Sequence, residues 1–280
     1  EGAEPVDRSS LDLGGRLTLD GNRVRIDGTV AAPSGRIDIH ADEDVELTDG
    51  SVLDVAGREV TFFDVTRHSF GGDVVLESRQ GDVRQATGAT LDVSARGSDA
   101  GTVKATAANG QVALEGDLIA RAQDEPDNGF EGGSIQVEGL TILGLNQRLG
   151  DGGFDYRREF TLGSGDLVIG DELRARHLSV TADGGSLTVA GTVRAGGDYA
   201  GSLRLAARDD LTIESDAVLD ASGDTLKRDS HGGAIEGSNR ATLDLTTRGG
   251  RLVLADGATL DVSAGGEARG VINLNAPRLG

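Results

Sequence analysis

The sequence predicts an all-β protein, a right-handed parallel β-helix (solenoid) with loop insertions and one short helix. Three observations predict it: short strands of alternating apolar residues, a repeated glycine-led opening to those strands, and a high glycine content. Of 280 residues, 44 are glycine, which is about twice the usual share. Only 4 are proline, so the excess is not that of collagen or of a disordered Pro/Gly-rich tract.

Each repeat opens with a glycine, one polar or small residue, and then alternating apolar residues. Several openers are spaced by 20 residues: 15 to 35, 165 to 185 and 250 to 270. A closing motif, Gly-Ala-Thr-Leu-Asp-Val-Ser-Ala, occurs verbatim at 88–95 and at 257–264. Alternation in so short a strand turns one row of side chains inward and the other outward. We therefore expect Asp92 and Asp261 of the closing motif to face water.

Stacking of the repeats follows because no single repeat can bury its own apolar row. Each strand is expected to pair in parallel with its equivalent one turn later, and the crossover preference makes the coil right-handed. Glycine is then needed where the chain turns sharply or approaches the neighbouring rung. The alternative, an antiparallel sandwich or propeller, has no Asn-Gly hairpin pattern to support it.

Four segments interrupt the repeats, at about 58–71, 121–132, 140–160 and 224–240, within what is expected to be one continuous segment (1–280) of a longer protein. In the third interruption, Ile142, Leu145 and Leu149 have the spacing of one face of a short helix. Insertions in a solenoid leave from its corners and lie on its flank, where binding surfaces are usually built.

Aromatic residues concentrate in these interruptions: seven of the eight lie in the first three, and only Tyr199 lies in a regular rung. One interpretation is that the rings pin the insertions to the solenoid wall. The other is recognition by Phe154, Tyr156, Arg157 and Arg158, since aromatic and guanidinium groups can stack on sugars or bind acidic groups.

Composition excludes several function classes. A net charge of −20 argues against nucleic acid or an anionic membrane as a partner. The absence of cysteine excludes disulfides, thiolate metal sites and cysteine nucleophiles. No apolar run approaches the roughly 18 residues that span a bilayer, so membrane insertion is not expected.

No catalytic or metal-binding pattern stands out, so we expect neither an enzyme nor a cofactor or metal site. Asp209 and Asp210 could form a carboxylate pair, but they lie between strands, where a solvated turn is the simpler interpretation. The sequence resembles a calcium-binding nonapeptide only once, at 196–201, and there the register is wrong. The histidines, none at zinc-ligand spacing, are His40, His68, His177 and His231.

The rungs at 185–193, 203–213, 91–95 and 260–264 resemble the repeats of the filamentous haemagglutinin-like exoproteins of Gram-negative bacteria. The interruptions at 60–64 and 144–160 are similar to an uncharacterised region of very large members of that family. The family's amino-terminal secretion domain has no counterpart in this sequence, and the shaft region offers no functional residues to carry over.

This resemblance implies a structural and interaction segment of a secreted or cell-surface filamentous adhesin, with a role in adhesion or biofilm. Export would follow the two-partner route through an outer-membrane pore protein. The implied partners are neighbouring β-helix segments of the same chain and surface glycans or proteins. The alternative is a β-helical protein that binds or processes polysaccharide.

Overall fold

The structure, a computed structural model, describes residues 12–123, 129–142, 146–264 and 270–277. It divides the chain into two compact units, Glu1–Tyr156 and Arg157–Gly280. In both units strands pair in parallel with their equivalents in the next repeat, in long ladders that follow the order of the sequence. The predicted all-β, parallel β-helix architecture is therefore confirmed.

The first unit contains the strands of its repeats and one antiparallel hairpin. Within it β1, β4, β9, β13 and β16 form one parallel ladder, β2, β5, β10 and the end of β13 a second, β3, β6, β11 and β14 a third, and β12 and β15 a fourth. The strands, numbered in chain order, are β1 (Arg16–Gly21), β2 (Val24–Ile26), β3 (Thr29–Ala31), β4 (Arg36–Ala41), β5 (Val45–Leu47), β6 (Val52–Asp54), β7 (Glu59–Phe62), β8 (Val65–His68), β9 (Asp73–Ser78), β10 (Val83–Gln85), β11 (Thr90–Asp92), β12 (Ala95–Arg96), β13 (Thr102–Leu114), β14 (Asp117–Ile119), β15 (Ala122–Gln123) and β16 (Ser134–Ile142).

The second unit has four parallel ladders. They order as β17-β20-β24-β28-β31, β18-β21-β25-β29, β19-β22-β26-β30 and β23-β27. The strands are β17 (Arg157–Leu162), β18 (Leu167–Ile169), β19 (Leu173–Arg174), β20 (His177–Ala182), β21 (Leu187–Val189), β22 (Thr192–Arg194), β23 (Gly197–Tyr199), β24 (Ser202–Ala207), β25 (Leu211–Ile213), β26 (Val218–Asp220), β27 (Gly223–Thr225), β28 (Thr242–Thr247), β29 (Leu252–Leu254), β30 (Thr259–Asp261) and β31 (Val271–Asn275).

The core of each unit is the inward row of these alternating strands. In β20, Leu178, Val180 and Ala182 are buried while the residues between them are partly exposed. Leu91 and Val93 of the closing motif are fully buried, as the alternation predicts. Burial of such side chains stabilises a fold by about 1.5–3 kcal/mol each, and aliphatic residues supply nearly all of it here.

Asp261 of the closing motif is partly exposed, but Asp92 does not face water as expected, since it is only 9% exposed. Its Oδ1 accepts hydrogen bonds from the backbone N–H of Ser94 (3.0 Å) and from the Ser94 hydroxyl (2.6 Å). Asp54, Asp220 and Asp261 each accept the N–H two residues on in the same way. The carboxylate therefore closes the corner as an Asx-turn, an alternative that strand alternation alone does not reveal.

Gly101, which precedes β13, lies directly against the preceding rung. At Gly101 an added Cβ would overlap the carbonyl oxygen of Gly72, and Gly101 N–H donates to Val93 O (2.7 Å). Glycine is required at this position because the backbones approach closely, and not because of a positive φ.

Outward charges on the first ladder form a bridged row across rungs. Asp38 lies between Ile37 and Ile39 and is 1% exposed, although it faces outward. Arg36 Nε donates to its Oδ1 (2.8 Å) and Arg16 Nε to its Oδ2 (2.9 Å). Arg36 also reaches Asp73 on the next rung, at 3.3 Å. Burial acts to raise the pKa of Asp38, but the two arginines outweigh it and the net shift is downward.

The interruption at 58–71 is an antiparallel hairpin of β7 and β8, paired from Glu59↔His68 to Phe62↔Val65. Its two-residue loop places Phe63 at φ 55°, fully exposed. Phe70 and Phe130 are exposed as well, whereas Phe160 is buried. The interpretation that rings pin insertions to the wall is therefore wrong for Phe63, Phe70 and Phe130.

The interruption at 140–160 contains a short helix, α1 (Asn146–Gly152), as expected. The helix begins later than the spacing predicts, because Ile142 still belongs to β16, so the expected helix face is wrong for Ile142. Leu149 on α1 is fully buried, while Leu145 and the side chain of Ile142 lie outside the described residues. The end of this interruption, from Arg157 onward, is already the rung strand β17. Parts of the predicted insertions, at 124–128 and 143–145, also lie outside the described residues.

Candidate functional site

Cationic side chains gather on one flank of the second unit, where the first ladder meets the interruption at 224–240. The register places Arg157 of β17 beside His177 of β20, and His177 beside Ser202 of β24. These three residues begin their strands and belong to the outward row, because the next residue in β20 and β24 is a buried leucine. The stacking of rungs therefore brings together residues that lie far apart in the sequence.

The imidazole of His177 contacts the neighbouring rung. Its Nδ1 lies 2.8 Å from Ser202 Oγ, a hydrogen-bonding distance. This contact orients the ring on the outward surface of β20.

Tyr199, on β23, forms the second part of the site. The Arg176 guanidinium and the Lys227 ammonium each lie 5.3 Å from the centre of its ring. Both distances are within cation–π range. One aromatic ring thus holds two cations next to His177, which follows Arg176 in the chain.

Lys227 is positioned by the interruption at 224–240 itself. Asn239, only 1% exposed, accepts the backbone N–H of Lys227 (2.6 Å) and donates Nδ2–H to its carbonyl oxygen (2.8 Å). Ile235 N–H also donates to that carbonyl, at 3.0 Å. A buried amide therefore fixes the backbone of the lysine, so the insertion carries an ordered cation to the site.

Burial and these charges act on His177. Burial first, and then the positive charges of Arg157, Arg176 and Lys227, lower the pKa of His177 to about 4. The imidazole is neutral at pH 7, and the fixed positive charge near it comes from three side chains. We call Arg157, Arg176, His177, Tyr199 and Lys227 the cationic cluster.

An open groove of about 300 Å³ adjoins the cationic cluster along the same ladder. Arg157, His177 and Ser202 belong to both. The groove continues over the next outward row, Glu159, Ser179, Arg204 and Asp244. Arg157 Nη1 is 3.0 Å from Glu159 Oε1. Both charge signs and two hydroxyls line the groove, which suits a polar ligand better than an apolar one.

The four residues predicted for recognition do not occupy one surface. Phe154 is fully buried beside α1, and its N–H donates to Leu149 O (3.0 Å). Arg158 is 3% exposed and takes the inward position that Leu178 and Leu203 hold on the following rungs. Tyr156 is half-buried, and Arg157 is exposed and belongs to the cationic cluster. A binding role for the set stays a prediction, with Tyr156 and Arg157 the accessible members.

Sequence reasoning missed Arg176, His177, Tyr199 and Lys227 as a group. Two signals pointed toward them: Tyr199 is the one aromatic residue of the regular rungs, and Lys227 lies in an interruption and is one of two lysines in the chain. Neither signal shows the register that brings them together.

In the candidate carboxylate pair, the side chain of Asp210 and the backbone of Asp209 support neighbouring rungs. Asp210 Oδ1 accepts the backbone N–H of Arg251 on the next rung (2.7 Å), and Asp209 N–H donates to Gly185 O (3.1 Å). Both side chains are exposed at a corner, as the turn interpretation predicts. Within the described part of the chain, no group of three or more His, Cys, Asp or Glu residues is placed to hold a metal ion.

Over the same described residues, no helix is both long and apolar enough to cross a membrane. The chain matches no family model, no curated protein and no solved structure.

Proposed function

We propose that this chain is a structural and interaction segment of a large secreted or cell-surface fibre, of the kind formed by filamentous haemagglutinin-like exoproteins. The observation that carries the proposal is the use made of the repeated carboxylates. In the closing motif they cap corners within a rung, as Asp92 does for Ser94. At other corners they bridge rungs, as Asp210 does to Arg251. Acidic groups committed to backbone support favour a scaffold over an acid–base catalyst.

The bridging carboxylates recur along the stack. Asp44 Oδ1 accepts the N–H of Asp82 (3.0 Å), and Asp82 Oδ1 accepts that of Gln111 (2.7 Å). In a repeat fold each rung contacts only its neighbours, so stability adds along the stack and length can grow without a new core. A net charge of −20 supports the same role, because it opposes lateral association of exposed strand ladders.

Surface labelling of the producing organism tests the proposal. Antibodies raised against the chain should label intact, unpermeabilised cells or the culture supernatant, while a cytoplasmic marker protein stays unlabelled. An in-frame deletion of the segment should reduce attachment of the cells to surfaces or to one another. Labelling that requires permeabilisation would overturn the proposed location. Unchanged attachment after the deletion would remove the interaction role.

A further inference from the structure

We infer that the cationic cluster binds the carboxylate of an acidic sugar, and that the adjoining groove receives the hydroxyl groups of that sugar or of the next one. The biological use of such a site rests on the proposed interaction role of the chain. The binding itself is a property of the second unit and is measured separately.

Positive charge is concentrated at the cationic cluster although the chain as a whole is acidic. The protein has 27 Lys and Arg residues against 47 Asp and Glu residues, yet Arg157, Arg176 and Lys227 all lie close enough to His177 to act on its charge. Arg157 is itself paired with Glu159 (3.0 Å), but like charges gathered around one ring still repel one another. A bound carboxylate relieves that repulsion and accepts charge-assisted hydrogen bonds, which guanidinium groups can donate in pairs.

The cationic cluster is also preorganised for binding. Long cationic side chains ordinarily lose rotamer freedom on binding, and this loss of entropy weakens the binding. Tyr199 already holds Arg176 and Lys227 at 5.3 Å from its ring centre. Asn239 fixes the backbone that carries Lys227. Part of the ordering is therefore complete before a ligand arrives.

The charges and hydroxyl groups of the groove indicate the class of ligand. The groove beside the cationic cluster carries Arg204 as well as Glu159 and Asp244, so it has no excess of positive charge to attract a ligand with a negative charge on every unit, such as a polysulfated chain or a nucleic acid. Ser179, Ser202 and the same two carboxylates can exchange hydrogen bonds with neutral hydroxyls. A saccharide with one carboxylate followed by neutral hydroxyls matches both halves of the surface.

The probe is cellobiouronic acid, a disaccharide with one glucuronate, compared with neutral cellobiose and with heparin by calorimetry and NMR. We expect cellobiouronic acid to bind and cellobiose to bind at least tenfold more weakly. Heparin should bind no more tightly than cellobiouronic acid at physiological salt. Equal binding of acid and neutral disaccharide, or no binding of either at millimolar concentration, would overturn the inference. Preferential heparin binding would overturn the assigned ligand class.

Variants locate the site. Lys227→Gln and Arg157→Gln should each weaken cellobiouronic acid binding about tenfold, the effect of losing one charge-assisted contact. Lys104→Gln is the matched control, because Lys104 is the other lysine of the chain and lies on β13 in the first unit. An equal loss in Lys104→Gln, or no loss in the two site variants, would contradict the assignment.

The wild-type protein supplies an independent readout. A carboxylate bound among the three cations should raise the pKa of His177, whereas cellobiose should leave it unchanged. Binding without any change at His177 would place the ligand elsewhere, even if a variant failed to fold. Failure of surface labelling would count against the proposed function and leave these binding results unaffected.

Discussion

Arg157 and His177 occupy paired positions on neighbouring parallel strands, β17 and β20. After burial, the charge of Arg157 is the largest influence that lowers the pKa of His177 to about 4. The pairing depends on rung register, because the two residues are one repeat apart. The pKa of His177 therefore depends on how the rungs stack.

The low pKa of His177 predicts a pH-dependent contribution to stability. The folded value of about 4 lies below the ordinary value of 6.5, so the unfolded chain binds a proton that the native chain does not. The contribution is complete above pH 6.5 and is lost as pH falls toward 4. The groups around the ring are Arg157, Arg176, Lys227 and the Glu159, Arg204 and Asp244 of the groove.

Replacing the residue tests this contribution. When pH is lowered from about 7.5 to 5, the free energy of unfolding of wild type, measured in urea, should fall relative to that of His177→Gln. A stability difference between the two proteins that stays constant over this range would contradict the prediction.

The contribution of Asp38 to stability should be lost at a lower pH than that of His177. Asp38→Asn should lower the unfolding free energy at pH 7 by about 1–3 kcal/mol, because charge-assisted bonds from Arg16 and Arg36 lose their anionic acceptor. The pKa of Asp38 is lowered below 3.8, so its contribution is present above that value and is lost as pH falls further. Urea unfolding at pH 7 and near pH 3 should therefore show the difference shrinking. A difference that is the same at both values would exclude the ion pairs as its source.

Two substitutions of the corner residue Asp92 distinguish the effect of its hydrogen bonds from the effect of its charge. Asp92→Ala should cost about 1–3 kcal/mol, since the Ser94 N–H and hydroxyl lose a buried acceptor. Asp92→Asn keeps an acceptor oxygen and removes a charge that lies in register with Asp54 on the preceding rung. We expect the free energy of unfolding of Asp92→Asn to lie within about 0.5 kcal/mol of the wild-type value, or above it. If Asn were as damaging as Ala in thermal or urea unfolding, the Asx-turn would not be the role of this residue.

Alanine substitutions at two glycines distinguish a need for close backbone approach from a general need for a flexible residue. Gly101→Ala should destabilise by about 1–3 kcal/mol or prevent folding, because the new Cβ would overlap Gly72 O. Gly28→Ala is the control: no atom lies within 4 Å of a Cβ added there, so its effect should stay within about 0.5 kcal/mol. Chemical unfolding of both variants gives the comparison. Equal stabilities would show that the rungs do not approach as described.

The fold was predictable because its determinants are local and repeated. Leu91 and Val93 are buried as the alternation predicts, and openers spaced by 20 residues indicate the stacking. Asp92 was not predictable in the same way. Its position in the alternation is that of an outward residue, but a hydrogen bond to Ser94 turns it into the corner.

The candidate site was only partly predictable. Arg157 was recognised as a binding candidate because aromatic and arginine residues lie close to it in the sequence, but Phe154 and Arg158 are buried. The pairing of Tyr199 with Lys227 depends on where β27 ends and on how Asn239 folds the interruption back on itself. Insertions have no fixed period, so spacing alone could not align these residues.

The most direct test of the account is the protonation state of His177 in the ligand-free protein, because it depends on rung register and on the ordered insertion together. Ring shifts of His177, assigned with His177→Gln, would be followed by NMR between about pH 8 and pH 5, above the isoelectric point of about 4.5. We expect the ring to stay neutral throughout this range in wild type, and the pKa of His177 to be higher in Arg157→Gln and Lys227→Gln. A wild-type midpoint near 6.5, unchanged in both variants, would contradict it.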